Sequence, residues 1–195
     1  MARRRLVGRL FVISSPSGGG KTTVVSRLRR RWPRLVRSVS VTTRPPRRGE
    51  QRGHAYHFVS LRAFEQLRRS GRLLEWAKVH GAYYGTPKRP ILQALARGQD
   101  VLLSIDVQGA RQVRRAMGRR AVLIFLVPPS LEELRRRLTR RQTETAEAIR
   151  RRLIVARREL ASARWYDYRV VNERLAETVK VVGGIMTRPT SQSRQ

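Results

Sequence analysis

A glycine-rich segment between an apolar run and a helical pattern is the feature that most restricts how this chain can fold. The apolar run covers residues 10–13. The segment that follows it is Ser15, Pro16, Ser17, Gly18, Gly19, Gly20, Lys21 and Thr22. Glycines let the backbone curl so that successive N–H groups point at phosphate oxygens, and the helix that follows adds the positive end of its dipole. The segment therefore predicts a phosphate-binding loop, in which Lys21 reaches the β- and γ-phosphates of a nucleoside triphosphate and Thr22 ligates Mg²⁺.

This phosphate loop (residues 15–22) departs from the usual pattern G-x-x-x-x-G-K-[ST] at its first position, where Ser15 replaces glycine. The strand pattern before it and the helical pattern after it favour a nucleotide-binding loop over a chance glycine-rich turn. Taken by itself, the loop predicts a nucleoside triphosphate ligand and leaves the reaction open.

Short apolar runs that alternate with helical patterns predict the fold class. The runs are residues 10–13, 101–105, 121–127 and 168–171, each continuous, as in strands that are buried on both faces. One helix is predicted to begin after Gly20 and to stop before Pro33. Another is predicted to begin after Ser130, where Glu133 completes a capping box. A further helix is indicated by an apolar stripe consisting of Ile149, Leu153, Ala156 and Leu160. This alternation is typical of a doubly wound α/β fold with a parallel sheet flanked by helices.

Residues 38 to about 90 interrupt the alternation with turn signals and aromatic residues. Polar and apolar residues alternate over 54–59, which indicates small strands. We therefore expect an inserted subdomain in this part of the chain.

Charge and composition restrict the class of protein further. The chain has 195 residues with 44 basic and 13 acidic side chains, a net charge of +31, and only four of the basic residues are lysines. The arginines extend along the whole sequence, whereas a nucleic-acid-binding surface concentrates them on one element. A compositional bias on solvated faces is therefore favoured over attraction to polyanions as a function, and weak, salt-sensitive binding to nucleic acid is expected in either case.

Several other classes are excluded. The 40% of hydrophobic residues suffice for a core, and the absence of cysteine excludes disulfides, thiolate metal sites and a cysteine nucleophile. No apolar run approaches the length of a membrane span. The basic residues 3–5 precede an apolar run too short for a secretory signal, and a glycine loop follows it. We expect a soluble, cytoplasmic, globular protein.

A second group of motifs bears on what receives the phosphate. Arg44 and Arg47 are separated by two prolines, so two guanidinium groups are held at a spacing suited to clamping one phosphate. Glu75 is a carboxylate in an apolar stretch, where a buried charge requires donors, and guanine presents two adjacent donors that adenine lacks. Each residue taken alone is also compatible with a purely structural role. In that alternative Tyr83 and Tyr84 are core aromatics, and Glu75 is the partner of an arginine.

Taken together, these motifs resemble the guanylate kinase family of P-loop nucleoside monophosphate kinases. The resemblance extends over residues 10–172 and includes the phosphate loop. It also includes the S-x-T-T-R-x-P-R-x-G-E stretch at 40–50, the Y-Y-G-T turn at 83–86 and the I-D-x-Q-G segment at 105–109. It implies transfer of the γ-phosphate of ATP to GMP or dGMP, with Mg²⁺ as cofactor, by a monomer or a homodimer.

The resemblance also implies roles for individual residues. Those matching guanine contacts are Ser40, Glu75 and Asp106. Those matching contacts to the GMP phosphate and ribose are Arg44, Arg47, Tyr56, Tyr84 and Thr86. Those matching lid arginines over the ATP phosphates are Arg137, Arg141 and Arg152, and Asn172 matches a position near the adenine. The residues expected to act in catalysis are Lys21, Arg44, Arg141 and Arg152.

The implied architecture is a single domain over 6–188 followed by a polar tail at 189–195. Its expected parts are a core (6–37, 93–130 and 158–188), a GMP-binding subdomain (38–92) and a helical lid (131–157). Ser104 stands where the family usually has an acid, which predicts a weakened Mg²⁺ site. Arg140 and Gln142 replace small residues of the lid and predict a stiffer one.

Three other functions compete with this interpretation. They are a kinase of a ribosyl phosphate or another nucleotide on the same fold, a peptide-binding domain without kinase activity, and a nucleic-acid-binding protein. Peptide-binding domains of this type typically lose the lysine of the phosphate loop, whereas Lys21, Arg44 and Arg47 are all present here. A kinase for another acceptor has less reason to keep Ser40, Glu75 and Asp106 together.

Overall fold

The computed structural model describes residues 8–46, 50, 53, 56–79, 81–140 and 146–188. The strands are β1 Leu10–Ser14, β2 Val36–Arg37, β3 Ser40–Thr42, β4 Tyr56–Phe58, β5 Leu73–Val79, β6 Ala82–Pro87, β7 Val101–Ser104, β8 Ala121–Val127 and β9 Tyr168–Val171. The α-helices are α1 Lys21–Arg31, α2 Leu61–Arg69, α3 Lys88–Ala96, α4 Val107–Met117, α5 Leu131–Thr139, α6 Ala146–Ala161 and α7 Leu175–Thr187. The 3₁₀ turns are Gly118–Arg120 and Ser162–Trp165.

The strands form two sheets. The larger has the order β2-β7-β1-β8-β9, and the pairs β2/β7 and β8/β9 are parallel. This order runs outward in both directions from β1, which confirms the predicted doubly wound α/β fold. The smaller sheet has the order β4-β3-β6-β5, with β6 antiparallel to both β3 and β5. Its strands lie within residues 38–90, where small inserted strands were expected, while residues 54–55 of the predicted alternation lie outside the described part.

Helix starts follow the local sequence. Asp106 and Ser130 are the N-caps of α4 and α5, and each side chain accepts the backbone N–H three residues on, at 2.8 and 3.0 Å. The half of the predicted capping box that involves the Ser130 side chain is confirmed. The Glu133 carboxylate, the other half of the predicted box, accepts hydrogen bonds from the guanidinium groups of Arg136 and Arg137. Helix α1 stops before Pro33, as predicted.

The described residues group into two compact units. The first unit comprises residues 8–12 and 33–122, and it contains the smaller sheet with α2, α3 and α4. The second unit comprises residues 13–32 and 123–188, and it contains α1, α5, α6 and α7. No helix within the described ranges is long and apolar enough to cross a bilayer.

Packing within the second unit confirms three of the four residues of the apolar stripe predicted on α6, Ile149, Leu153 and Ala156. The core cluster there consists of Leu134, Leu138 and Ala156, with Leu131, Ile149 and Leu153 packed against it. Helices α5 and α6 are therefore joined by an apolar interface, and most of their arginines are exposed, while Arg137 and Arg152 are half-buried.

Candidate active site

The phosphate loop of the second unit is built mainly from backbone. It follows directly on β1, whose five residues are all buried, and it leads into the first turn of α1. Gly19 N–H donates to the carbonyl of Pro16 at 2.9 Å, and the buried Ser15 hydroxyl donates to the same carbonyl at 3.1 Å. Serine at the first position is thus accommodated as part of the turn. The exposed Thr22 lies in the first helical turn, next to Lys21.

Asn172 fixes the conformation of this loop from the end of β9. Its Nδ2 donates to the carbonyl of Gly19 at 2.7 Å, and the Thr178 hydroxyl donates to its Oδ1 at 3.0 Å. Gly20 has φ +86°, and a Cβ there would lie 2.4 Å from Asn172 Nδ2. Only glycine combines this left-handed backbone with this contact, so the loop and Asn172 are matched to each other.

Two of the predicted lid arginines contact the same region within the second unit. Arg137 donates to the backbone carbonyl of Asn172 at 3.0 Å and to Glu133 at 2.7 Å. The Arg137 guanidinium, followed by that of Arg136, holds the pKa of the Glu133 carboxyl below its usual value. Arg152 reaches the Ser17 hydroxyl at 3.5 Å, the limit of a hydrogen bond. Both guanidinium groups therefore lie beside the phosphate loop.

A carboxylate cluster in the first unit consists of Glu75, Thr86, Gly109 and Asp106. Glu75 is only 3% exposed, and its Oε1 accepts the Thr86 hydroxyl proton at 2.6 Å. Asp106 accepts Gly109 N–H at 2.8 Å, and a Cβ on Gly109 would lie 2.3 Å from Glu75 Oε2 and 3.4 Å from Asp106 Oδ1. The two carboxylates therefore face the same bare backbone position. The buried Glu75 expected from the sequence is confirmed.

An arginine–tyrosine cluster, also in the first unit, consists of Arg44, Glu50, Tyr56 and Tyr84. Arg44 donates to both oxygens of Glu50, at 2.8 and 2.9 Å, and through Nε to the Tyr84 hydroxyl at 3.2 Å. The hydrogen bonds with Glu50 raise the pKa of Arg44 further. Burial, followed by the neighbouring Tyr84, raises the pKa of Tyr56, so its hydroxyl stays protonated and able to donate at neutral pH.

The predicted site residues thus fall into groups that the structure brings together within each unit. Ser40 pairs in register with Tyr56 across β3 and β4, next to the arginine–tyrosine cluster. Arg47 and Arg141, together with Gln142 of the predicted lid, lie outside the described residues. Ser104 ends β7, half-buried.

Several contacts were missed by sequence reasoning. Glu50 is the only acidic residue between positions 38 and 59, a signal that could have identified it as the partner of Arg44. Only its motif position points to Asn172 in the sequence, because its bond to Gly19 joins residues 153 positions apart. Thr178 carries no comparable sequence signal.

These features define a P-loop protein of the nucleoside triphosphate-binding class, whose first unit also carries the carboxylate cluster and the arginine–tyrosine cluster. Comparison with known proteins agrees. The sequence model of the guanylate kinase family matches residues 7–188. Guanylate kinase of Thermobifida fusca is 52% identical over 184 residues, 94% of this chain and 93% of that protein.

Other relatives give the same result. Guanylate kinase of Gloeobacter violaceus is 52% identical over 176 residues, which cover 90% of this chain and 85% of that one. A crystal structure of guanylate kinase from Anaplasma phagocytophilum matches with a TM-score of 0.78 at 38% identity, covering 93% of this chain and 85% of that chain. The chain belongs to the guanylate kinase family, a family of nucleoside monophosphate kinases that phosphorylate GMP at the expense of ATP. The predicted family, fold class and enzyme class are confirmed.

Proposed function

We propose that this chain transfers the γ-phosphoryl group of ATP reversibly to GMP, and to dGMP, giving ADP and the nucleoside diphosphate, as an enzyme of purine nucleotide metabolism. The observation that carries the acceptor assignment is the buried Glu75 carboxylate, which faces Gly109 together with Asp106. Carboxylates accept hydrogen bonds, and guanine presents adjacent donors at N1 and N2, whereas adenine presents an acceptor at N1.

The phosphate loop supplies the ATP-binding half of the reaction. Its N–H groups and the N-terminus of α1 favour the negative charge of the phosphates, and Lys21 adds a cation at the β- and γ-phosphates. Arg137 and Arg152 already contact Asn172 and the loop hydroxyl of Ser17. The proposed ATP contacts are Ser15, Pro16, Ser17, Gly18, Gly19, Gly20, Lys21, Thr22, Arg137 and Asn172.

The arginine–tyrosine cluster supplies the contacts to the GMP phosphate. Arg44 brings a guanidinium and the two tyrosines bring neutral donors, which together suit a dianionic phosphate. Guanine is assigned to the carboxylate cluster with Ser40, and the remaining proposed contacts are Arg47 and Thr86. No general base is required, because the phosphate of GMP is already ionised and nucleophilic.

Positioning and charge neutralisation account for catalysis in this proposal. Phosphoryl transfer needs in-line alignment and stabilisation of charge on the transferred group, and little covalent chemistry from the protein. Lys21, Arg44, Arg141 and Arg152 supply that charge, with the lid arginines expected to interact most strongly as charge develops in the transition state.

Mg²⁺ fits the residues present. The ion keeps several waters and binds substrate phosphates with few protein ligands. The exposed Thr22 hydroxyl at the start of α1 offers one oxygen of the required kind, and no group of three or more His, Cys, Asp or Glu side chains in the described ranges forms an all-protein cage. When bound, the ion neutralises charge on the β- and γ-phosphates.

The proposal includes the remaining features of the family pattern. The domain at 6–188 is divided into a core (6–37, 93–130 and 158–188), a GMP-binding subdomain (38–92) and a lid (131–157), with a tail at 189–195. The enzyme acts in the cytoplasm, where its nucleotide substrates are found, as a monomer or a homodimer. Binding to nucleic acid is weak and salt-sensitive, in keeping with the net charge of +31.

An acceptor panel tests the reaction. ADP release from Mg·ATP is measured with GMP, dGMP, AMP, CMP, UMP and ribose phosphates offered separately. Release with GMP and dGMP only is the expected outcome. Turnover on a ribose phosphate would instead indicate a related kinase, and ATP binding without turnover on any acceptor would indicate a binding domain.

A further inference from the structure

The side chain of Gln112, on α4 of the first unit, forms two hydrogen bonds to a single residue of β5. Its Oε1 accepts the backbone N–H of Trp76 at 3.1 Å, and its Nε2 donates to the backbone carbonyl of Trp76 at 2.6 Å. A primary amide carries the same donor and acceptor pair as a peptide group. Gln112 therefore contacts Trp76 as a residue of a neighbouring strand would.

The position of β5 in its sheet explains why such a contact is needed. In the order β4-β3-β6-β5 this strand is at the edge, and Trp76 lies opposite Gly85 of β6. In an antiparallel pair, alternate residues direct their N–H and C=O groups away from the neighbouring strand. At an edge these groups are left without a strand partner, and at Trp76 the amide of Gln112 satisfies both.

Anchoring Trp76 also fixes the direction of Glu75, the residue before it. Successive side chains of a strand point to opposite faces, so Glu75 is oriented by the backbone that Gln112 holds. On the N-terminal side of Glu75, the pairing of β5 with β6 has a register irregularity between Leu73 and Glu75, which makes the backbone there less regular. A strand that is irregular before Glu75 depends more on the anchor that follows it.

Helix α4 contributes to the same region through a second residue. Gly109 lies three positions before Gln112 on α4, and residues three apart share one face of a helix. The Glu75 carboxylate packs against Gly109, whose N–H is bound by Asp106. One face of α4 thus sets both where β5 lies and how far the Glu75 carboxylate is from that of Asp106.

We infer that Gln112 is a positioning residue for guanine selection, which acts by holding Glu75 and Asp106 at the separation that reads the edge of the base. The inference rests on the proposed function. The hydrogen bonds described for the Gln112 side chain are all to backbone atoms: the N–H and the carbonyl of Trp76 and, at 3.4 Å, the carbonyl of Gln108. Its effect is therefore expected in the discrimination between bases and in GMP affinity, and not in the handling of ATP.

Two acceptor nucleotides that differ by one donor provide the readout. IMP carries the N1–H of the purine ring and lacks the exocyclic amine of GMP, so the ratio of their dissociation constants measures how well that amine is bound. A site built around hydrogen bonds discriminates against an analogue that lacks one of them, and loses this discrimination when the partners are displaced. A general loss of packing would instead weaken both nucleotides alike.

Titration calorimetry on the full chain tests the inference with Gln112→Met, which keeps the length of the side chain and removes both hydrogen bonds. We expect the IMP-to-GMP ratio of dissociation constants to fall about tenfold, as for a displaced hydrogen-bonding group. The dissociation constant of ATP should stay within about twofold, since the phosphate loop is unchanged. An unchanged ratio, or a parallel loss of GMP and IMP binding, would overturn the inference.

Controls separate this outcome from others. Arg115→Ala, at an exposed position of the same helix, should leave the ratio as it is in the parent protein. Should Gln112→Met fail to fold by circular dichroism, Gln112→Glu keeps the acceptor for Trp76 N–H and loses the donor, and an unchanged ratio there overturns the inference. Failure of the parent protein to turn over GMP would contradict the proposed function, while the ratio of dissociation constants remains measurable without turnover.

Discussion

The phosphate loop of the second unit and the carboxylate cluster of the first unit are built from different parts of the chain. The phosphate loop uses eight consecutive residues, and its shape depends on backbone contacts such as the one from Asn172 to the carbonyl of Gly19. The carboxylate cluster uses side chains from β5, β6 and the N-cap of α4 that lie far apart in sequence, together with the backbone at Gly109. One site is thus a local backbone conformation, and the other exists only after folding.

This difference bears on specificity. Backbone N–H groups and a lysine recognise phosphate charge, which all nucleoside triphosphates share. Side-chain carboxylates at fixed separation recognise a pattern of donors, which differs from base to base. Changes in the second unit should therefore alter ATP use with every acceptor, whereas changes in the first unit should alter which acceptor is used.

Lys21→Ala is expected to have the largest effect. It removes the cation proposed to lie at the phosphates while the loop backbone remains, so kcat should fall by at least about 100-fold for GMP and dGMP alike. Lys180→Ala, at an exposed position of α7, serves as the control. Both are measured as ADP release from Mg·ATP, and substantial activity in Lys21→Ala would remove the phosphate loop from the mechanism.

Glu75→Gln should affect only the use of GMP, the nucleotide that receives the phosphate. It replaces a charged acceptor by an amide of the same shape, so KM for GMP should rise about 10- to 100-fold, the cost of a hydrogen bond to a charged group. KM for ATP should not change, because the substitution lies in the first unit. Equal increases in both KM values would erase the distinction between the two sites. Glu177→Gln, exposed on α7, is the control.

Gly20→Ala separates backbone strain from the Asn172 contact. The left-handed φ of +86° costs a non-glycine residue about 1–2 kcal/mol, and the added Cβ meets Asn172. Gly71→Ala is matched in strain, since its φ is +64°, but nothing lies within 4 Å of the added Cβ. Urea denaturation should show a loss of stability in both, and only Gly20→Ala should also weaken ATP binding.

Ser104→Asp tests the predicted effect of an unusual residue. An acid here should lower the Mg²⁺ concentration that gives half-maximal rate by about tenfold, the lower end of the range for an outer-shell change. The rate with GMP is measured across a Mg²⁺ titration at saturating ATP. A Mg²⁺ requirement that is unchanged or higher would contradict a weakened metal site.

The smallest expected effect concerns the pH dependence of Glu133. Because Arg137 and Arg136 lower its pKa in the folded state, the carboxylate stabilises the protein above the usual pKa of glutamate. That contribution is lost as the pH falls through the lowered pKa. The free energy of unfolding of Glu133→Gln should therefore lie below that of the parent protein at pH 7 and approach it in acid. A difference that persists in acid, or one equally large in Glu132→Gln, would assign the effect to something other than this ion pair.

Much of the fold was predictable because its signals are local. The strand at the start of the chain, the helix ending before Pro33 and the apolar stripe of α6 follow from periodicity and from single residues such as Ser130. The cap at Ser130 was predicted, but the pairing of Glu133 with arginines was not. The Glu133 carboxylate can pair either with the backbone N–H at the N-cap, as in a capping box, or with the arginines one turn further on. Sequence spacing does not choose between these two partners.

The sequence by itself determined the phosphate loop, since eight consecutive residues carry both the turn and its cation, and a glycine with positive φ is needed locally. Only the tertiary structure decided how that loop is held by Asn172, how Glu75 comes to face Gly109, and how Gln112 binds the edge of β5. The physical reason is that each of these contacts joins residues from separate elements, the most distant being 153 positions apart. Their geometry depends on how strands and helices pack, which no local pattern of residues records.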